Sequence, residues 1–125
     1  MKCPKCYAPM DKASMGSVEI DRCSGCKGLW FDANELDELL RYDNSEMLDL
    51  GLASLGHAWD TSNTVLCPRC KVIPMKTENM LGHESVQREL CPQCLGSFLD
   101  AGEFTEIKSR SPLIYMRNTV ARLRA

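Results

Sequence analysis

The chain has 125 residues, eight cysteines and a formal net charge of −2, with 44% hydrophobic and 26% charged side chains. No apolar run reaches the roughly 18 residues that a membrane-spanning helix needs, and an acidic balance is a poor match for non-specific nucleic-acid binding. Met1-Lys2 runs into Cys3 with no apolar leader, so the expected location is cytoplasmic, where clustered cysteines bind metal more often than they form disulfides.

The first element is a tight turn, Cys3-Pro4-Lys5-Cys6, in which proline pre-sets the backbone and two sulfurs converge. After sixteen intervening residues comes Cys23-Ser24-Gly25-Cys26. Between them Val18 and Ile20 alternate with polar residues, a strand signal, so a hairpin is expected to bring the two pairs together. Gly28, just beyond the second pair, is expected to take a positive φ. Trp30 reads as a core aromatic beside the metal turn, or alternatively as an exposed partner anchor. Asp32 and Glu35 have capping-box spacing, ahead of Leu36, Leu39 and Leu40 at helical spacing. A paired-carboxylate acid/base site is the less favoured alternative, since no nucleophile accompanies them.

Residues 43–64 form a linker, and 43–66 carry four acidic side chains and no basic ones. Met47, Leu48, Leu52 and Leu55 predict a short helix starting near 43–45 that packs on a neighbour, a mobile tether being the alternative. Residues 65–107 then repeat residues 1–42. Cys67-Pro68-Arg69-Cys70 is followed by Cys91-Pro92-Gln93-Cys94, with twenty residues between the pairs. Gly96, Phe98, Asp100 and Glu103 stand where Gly28, Trp30, Asp32 and Glu35 stand in the first copy. Four thiolates in two C-x-x-C pairs are the usual ligand set for one tetrahedral zinc ion, and all eight cysteines are used, four per copy. Modules of about forty residues need such a staple. His57 and His83 lack ligand spacing and read as surface residues.

Residues 108–125 carry five basic side chains and no acidic ones. Leu113, Met116, Val120 and Leu123 recur at helical spacing after Ser111-Pro112, which predicts a basic amphipathic C-terminal helix. It could pack on the repeats, join a partner or a second copy, or use Arg117, Arg122 and Arg124 on nucleic acid or a membrane surface.

With both copies fitting C-x-x-C-x-G-x-(aromatic)-(apolar)-D-A-x-E, each resembles the transcription-factor-B type zinc ribbon, over about 80 residues in all. The resemblance implies two tandem zinc ribbons, each a β-hairpin zinc knuckle followed by a short α-helix. It implies one zinc ion on Cys3, Cys6, Cys23 and Cys26, and a second on Cys67, Cys70, Cys91 and Cys94. Iron in a rubredoxin-like site is the rival, disfavoured because Tyr7, Lys27, Lys71 and Leu95 stand where rubredoxin turns carry glycine. Four sulfur ligands leave no open coordination position for hydrolysis. The expected role is therefore a non-enzymatic zinc adaptor for a protein partner, and the resemblance implies a transcription-related one. The alternatives are a nucleic-acid-binding regulator and a redox or zinc-responsive thiol switch.

Overall fold

The computed structural model describes residues 1–52, 65–80 and 83–110. The first copy folds into strands β1 (Met10–Met15), β2 (Val18–Cys23) and β3 (Leu29–Phe31), followed by helix α1 (Glu35–Leu40). The second folds into β4 (Lys76–Met80), β5 (His83–Leu90) and β6 (Ser97–Leu99), followed by helix α2 (Glu103–Arg110). Residues 108–110 therefore continue the second copy's helix. The remainder of the basic tail, with Arg117, Arg122 and Arg124, lies outside the described residues, as does His57.

The sequence leaves open whether the two copies touch. They share a single antiparallel six-stranded sheet in the order β1-β2-β3-β6-β5-β4. The join is β3 against β6, where Leu29 pairs with Leu99, Trp30 with Phe98 and Phe31 with Ser97. Because Trp30 and Phe98 are equivalent residues of the two copies and face one another, a local two-fold axis passes between them. The copies pack as a dimer would, within one chain.

Side-chain alternation gives the sheet two different faces. Val18, Ile20, Leu29, Phe31 and Leu99 point to the helical face, where Leu36, Leu39 and Leu40 of α1 and Phe104 and Ile107 of α2 cover them. Phe31 and Phe104 meet across the join with ring centroids 5.6 Å apart and ring planes tilted by 33°. Trp30, Phe98 and Met75 form a second apolar cluster with the cysteines. Residues from both copies fill both clusters, so among the described residues neither copy has a core of its own.

The linker enters this arrangement through a 3-10 turn, Ser45–Leu48, shorter than the expected helix. Of the apolar residues that predicted packing, Leu48 is buried, whereas Met47 and Leu52 are exposed. Asp49 accepts the Gly102 N–H at 3.0 Å on one carboxylate oxygen, and the Thr105 N–H and hydroxyl at 3.0 Å on the other. Those are donors that the first turn of a helix leaves without intrahelical partners, so the linker caps the second copy's helix. Lys108 answers from that helix, donating to the Tyr42 carbonyl at 2.6 Å and pairing with Glu46 at 2.9 Å.

Candidate metal centres and the seam between them

Three of the four cysteine pairs sit in knuckles closed by a backbone bond back to the first cysteine, and the fourth is closed by the Cys23 N–H donating to the Gly28 carbonyl at 2.8 Å. The N–H of Tyr7 donates to the Cys3 carbonyl at 3.1 Å, Lys71 to Cys67 at 2.9 Å and Leu95 to Cys91 at 3.0 Å. The first sulfur of each pair accepts the N–H of the second cysteine at 3.3–3.5 Å. The residue after each pair closes the turn in the left-handed region, with φ of 64° at Tyr7, 65° at Lys27, 72° at Lys71 and 63° at Leu95. The glycine one position later does not, which corrects the expectation for Gly28 and Gly96.

The four sulfurs of Cys3, Cys6, Cys23 and Cys26 lie within 4.8 Å of one another, as do those of Cys67, Cys70, Cys91 and Cys94. Sulfur–sulfur separations of 3.2, 3.7, 3.7 and 3.9 Å are far longer than a disulfide bond. They bracket the edge of about 3.8 Å that a tetrahedron with Zn–S bonds of about 2.3 Å requires. The thiol chemistry also calls for a cation. In the first quartet a hydrogen bond from the Cys26 thiol holds Cys3 down to about 5, and that same bond raises Cys26. In the second, burial pushes Cys67 up to about 12; burial also opposes charge on Cys91, but the backbone N–H groups of Cys94 and Gln93 together with the Cys94 and Cys67 thiols outweigh it and leave Cys91 at about 7. Four crowded thiols resist ionising together until a positive ion supplies the counter-charge. Both quartets fit one zinc ion each, which when bound would tie two knuckles into one fold.

The glycines that follow the knuckles are required for a different reason. A Cβ at Gly28 would overlap the Phe98 ring, and a Cβ at Gly96 would overlap the Trp30 ring. Each aromatic lies on the other copy's glycine. Both rings are fully buried, so Trp30 and Phe98 are not exposed anchors for a partner. Burial between the copies corrects that reading, and the indole N–H is satisfied by Asp32 at 3.0 Å.

Charged contacts follow the same reciprocal rule. Lys5, inside the first knuckle, pairs with Glu89 at 2.9 Å and Asp100 at 2.7 Å, all three nearly excluded from solvent. Its ammonium also stands 5.8 Å from the centre of the Phe98 ring. Arg69, inside the second knuckle, reaches Asp21 at 3.2 Å and grips both oxygens of Asp32 at 3.0 Å. Burial opposes charge on Lys5, but Glu89 and Asp100 outweigh it and raise the ammonium's pKa. Burial likewise opposes charge on Asp32, and Arg69 with the indole N–H holds that carboxyl below its ordinary range.

These contacts revise the capping box. Glu35 does accept the Asp32 N–H at 2.7 Å. Asp32, however, gives its carboxylate to Arg69 and Trp30 rather than to the helix. The residue that turns the chain into α1 is Asn34, with φ 73° and no side-chain cap, and its counterpart Gly102 has φ 86°. Sequence reasoning passed over Lys5, Arg69, Asp21 and Glu89. The signal was present: a basic residue at the same place in both C-P-x-C turns, and an acidic one two positions before Cys23 and Cys91.

Among the described residues, no helix is long and apolar enough to cross a membrane. The chain has no match among curated proteins or among solved structures. A family model described as "Transcription factor zinc-finger", the zinc ribbon of transcription-factor-B type, matches residues 2–42 and 66–110. With a knuckled four-cysteine site in each copy and most of its length matched, the chain belongs to that zinc-ribbon family, as two tandem copies.

Proposed function

We propose that the protein is a non-enzymatic, zinc-stapled adaptor that binds another protein. The observation that carries this reading is the surface around the two N-terminal knuckles. There Met1–Pro4 and Val65–Pro68 form the two walls of an open groove of about 550 Å³, with Tyr7 and Lys71 on its rim. Tyr7 is 72% exposed and Leu66 48% exposed. Val72, beside Lys71 in the second knuckle, is 75% exposed. Apolar side chains held out by rigid turns are costly in water and favour burial against a partner. Sites closed by four sulfurs support a structural rather than a catalytic role for the metal. A role in transcription is the family's name carried over, and fold likeness alone does not supply it.

The test is affinity capture of the zinc-loaded chain from cell extract, with and without nuclease, followed by direct binding of the purified partner. A partner that survives nuclease and loses at least tenfold in affinity on Tyr7→Ala with Leu66→Ala supports the adaptor reading. Capture that yields only nucleic acid, with affinity falling steeply as salt rises, transfers the function to a nucleic-acid regulator.

A further inference from the structure

We infer that the two zinc sites are energetically coupled, so that loading or emptying one changes the affinity of the other. The coupling runs through the side chains that each knuckle sends into the opposite copy.

Lys5 lies between two ligands of the first site, and its own N–H donates to the Cys3 sulfur at 3.4 Å. Its ammonium ends on Glu89 and Asp100 of the second copy. Glu89 stands two residues before the ligand Cys91, and Asp100 leads into α2. Arg69 lies between two ligands of the second site and ends on Asp21 and Asp32 of the first copy, where Asp21 stands two residues before the ligand Cys23. Gly28, two residues after Cys26, is the seat of the Phe98 ring, and Gly96, two residues after Cys94, is the seat of the Trp30 ring.

A zinc ion holds its knuckle folded. When the first ion leaves, the turn that aims Lys5 is released, and the buried Glu89 and Asp100 lose their ammonium next to the second site. A buried carboxylate that loses its cation destabilises the structure around it. Departure of the second ion withdraws Arg69 from Asp21 and Asp32 in the same way. Linkage makes the effect reciprocal: whatever the first ion does for the second, the second does for the first.

The experiment equilibrates the full chain against a zinc buffer over a range of free zinc and counts molecules with none, one or two ions by native mass spectrometry. Independent sites, equal or unequal, put at least half of all molecules in the one-zinc state when half the sites are filled. Mutual strengthening of the sites depletes that state, and between sites of equal affinity a tenfold coupling holds it at roughly a quarter. The wild-type chain is expected below half; if the sites differ so much in affinity that it is not, cysteine Cβ NMR shifts divide the one-zinc molecules between the two sites, and a product of the empty and doubly loaded fractions equal to the product of the two singly loaded fractions overturns the inference. The variant carrying Lys5→Met and Arg69→Met is expected to recover a one-zinc population of at least half. If it stays as depleted as wild type, the coupling is not carried by these side chains and the route through Lys5 and Arg69 is overturned. Should the double variant fail to fold, Arg69→Met alone makes the same comparison, because its side chain lies partly in solvent. It is expected to raise the one-zinc population above wild type, and no change overturns the Arg69 arm.

Discussion

The ammonium of Lys5 lies 2.7 Å from the carboxylate of Asp100, 95 residues further along the chain, and both side chains are sealed from water. On the other side of the two-fold axis the equivalent pair, Arg69 and Asp32, sits at 3.0 Å with 41% and 47% of the side chains exposed. The same contact is thus made once in a buried setting and once at the surface.

That difference sets the relative cost of removing each cation. Lys5→Met leaves two buried carboxylates without their ammonium and is expected to cost about 3–5 kcal/mol. Arg69→Met loses a partly exposed pair, while Asp21 keeps Lys12 at 2.8 Å, so its cost is expected near 1 kcal/mol. Denaturant unfolding of the zinc-loaded variants measures both, and equal losses would contradict the burial argument.

The Lys5 contact carries a pH signature at the alkaline end. Its pKa is raised above the ordinary 10.5 by Glu89 and Asp100 against the opposing effect of burial. A raised pKa means that the contribution is complete below 10.5 and declines as pH climbs through the raised value. The stability gap between wild type and Lys5→Met should stay level from pH 7 to 10 and narrow above 10.5. A gap that shrinks already between pH 7 and 9 would rule this out.

Gly28→Ala places a methyl group in the Phe98 ring and is expected to cost about 1–3 kcal/mol, although its backbone conformation suits alanine. Phe98→Leu should return part of that loss in the double variant. A double-mutant cycle should give a coupling of about 0.5–3 kcal/mol between residues of different copies. Additive losses would mean that the ring yields without cost.

Exhaustive removal of zinc by a chelator should unfold both copies together, since they share one sheet and both apolar clusters. Circular dichroism and the dispersion of amide signals report this directly. The loaded protein should be colourless with two zinc ions per chain, and a red protein would mean iron. A Cys6→Ser chain whose second copy keeps its full amide dispersion would show that the copies fold separately.

Asp49→Ala removes the acceptor for the first turn of α2 and is expected to cost about 1–2 kcal/mol. Hydrogen exchange should localise the loss to residues 102–106 and leave the knuckles unchanged.

The metal quartets were legible in the sequence because C-x-x-C spacing is a local constraint that acts before tertiary structure forms. The hairpins and helices followed from period-two and helical spacing, as Val18 with Ile20 and Leu36 with Leu39 and Leu40 show. The meeting of the copies was not legible, because strands as short as Leu29–Phe31 carry too little pattern to name their partner. Gly28 was misread for a related reason. A glycine is consistent with positive φ or with close approach, and only the position of Phe98 decides between them. Asp32 was misassigned because a carboxylate three residues before a glutamate resembles a cap until an arginine from elsewhere claims it.

The reciprocal seating of ring on glycine limits how two duplicated segments can drift apart. Each copy is the mould in which the other is cast, so a change of side chain at the centre must be answered in the opposite segment. At the rim no such answer is needed. The extra four residues of the second copy lie in the outer hairpin, where the pairing of β4 with β5 shifts at Asn79 and Met80 without disturbing β3 or β6. The freedom to take up new contacts therefore lies at the outer hairpins, and the middle of the sheet is held to its match by the reciprocal fit.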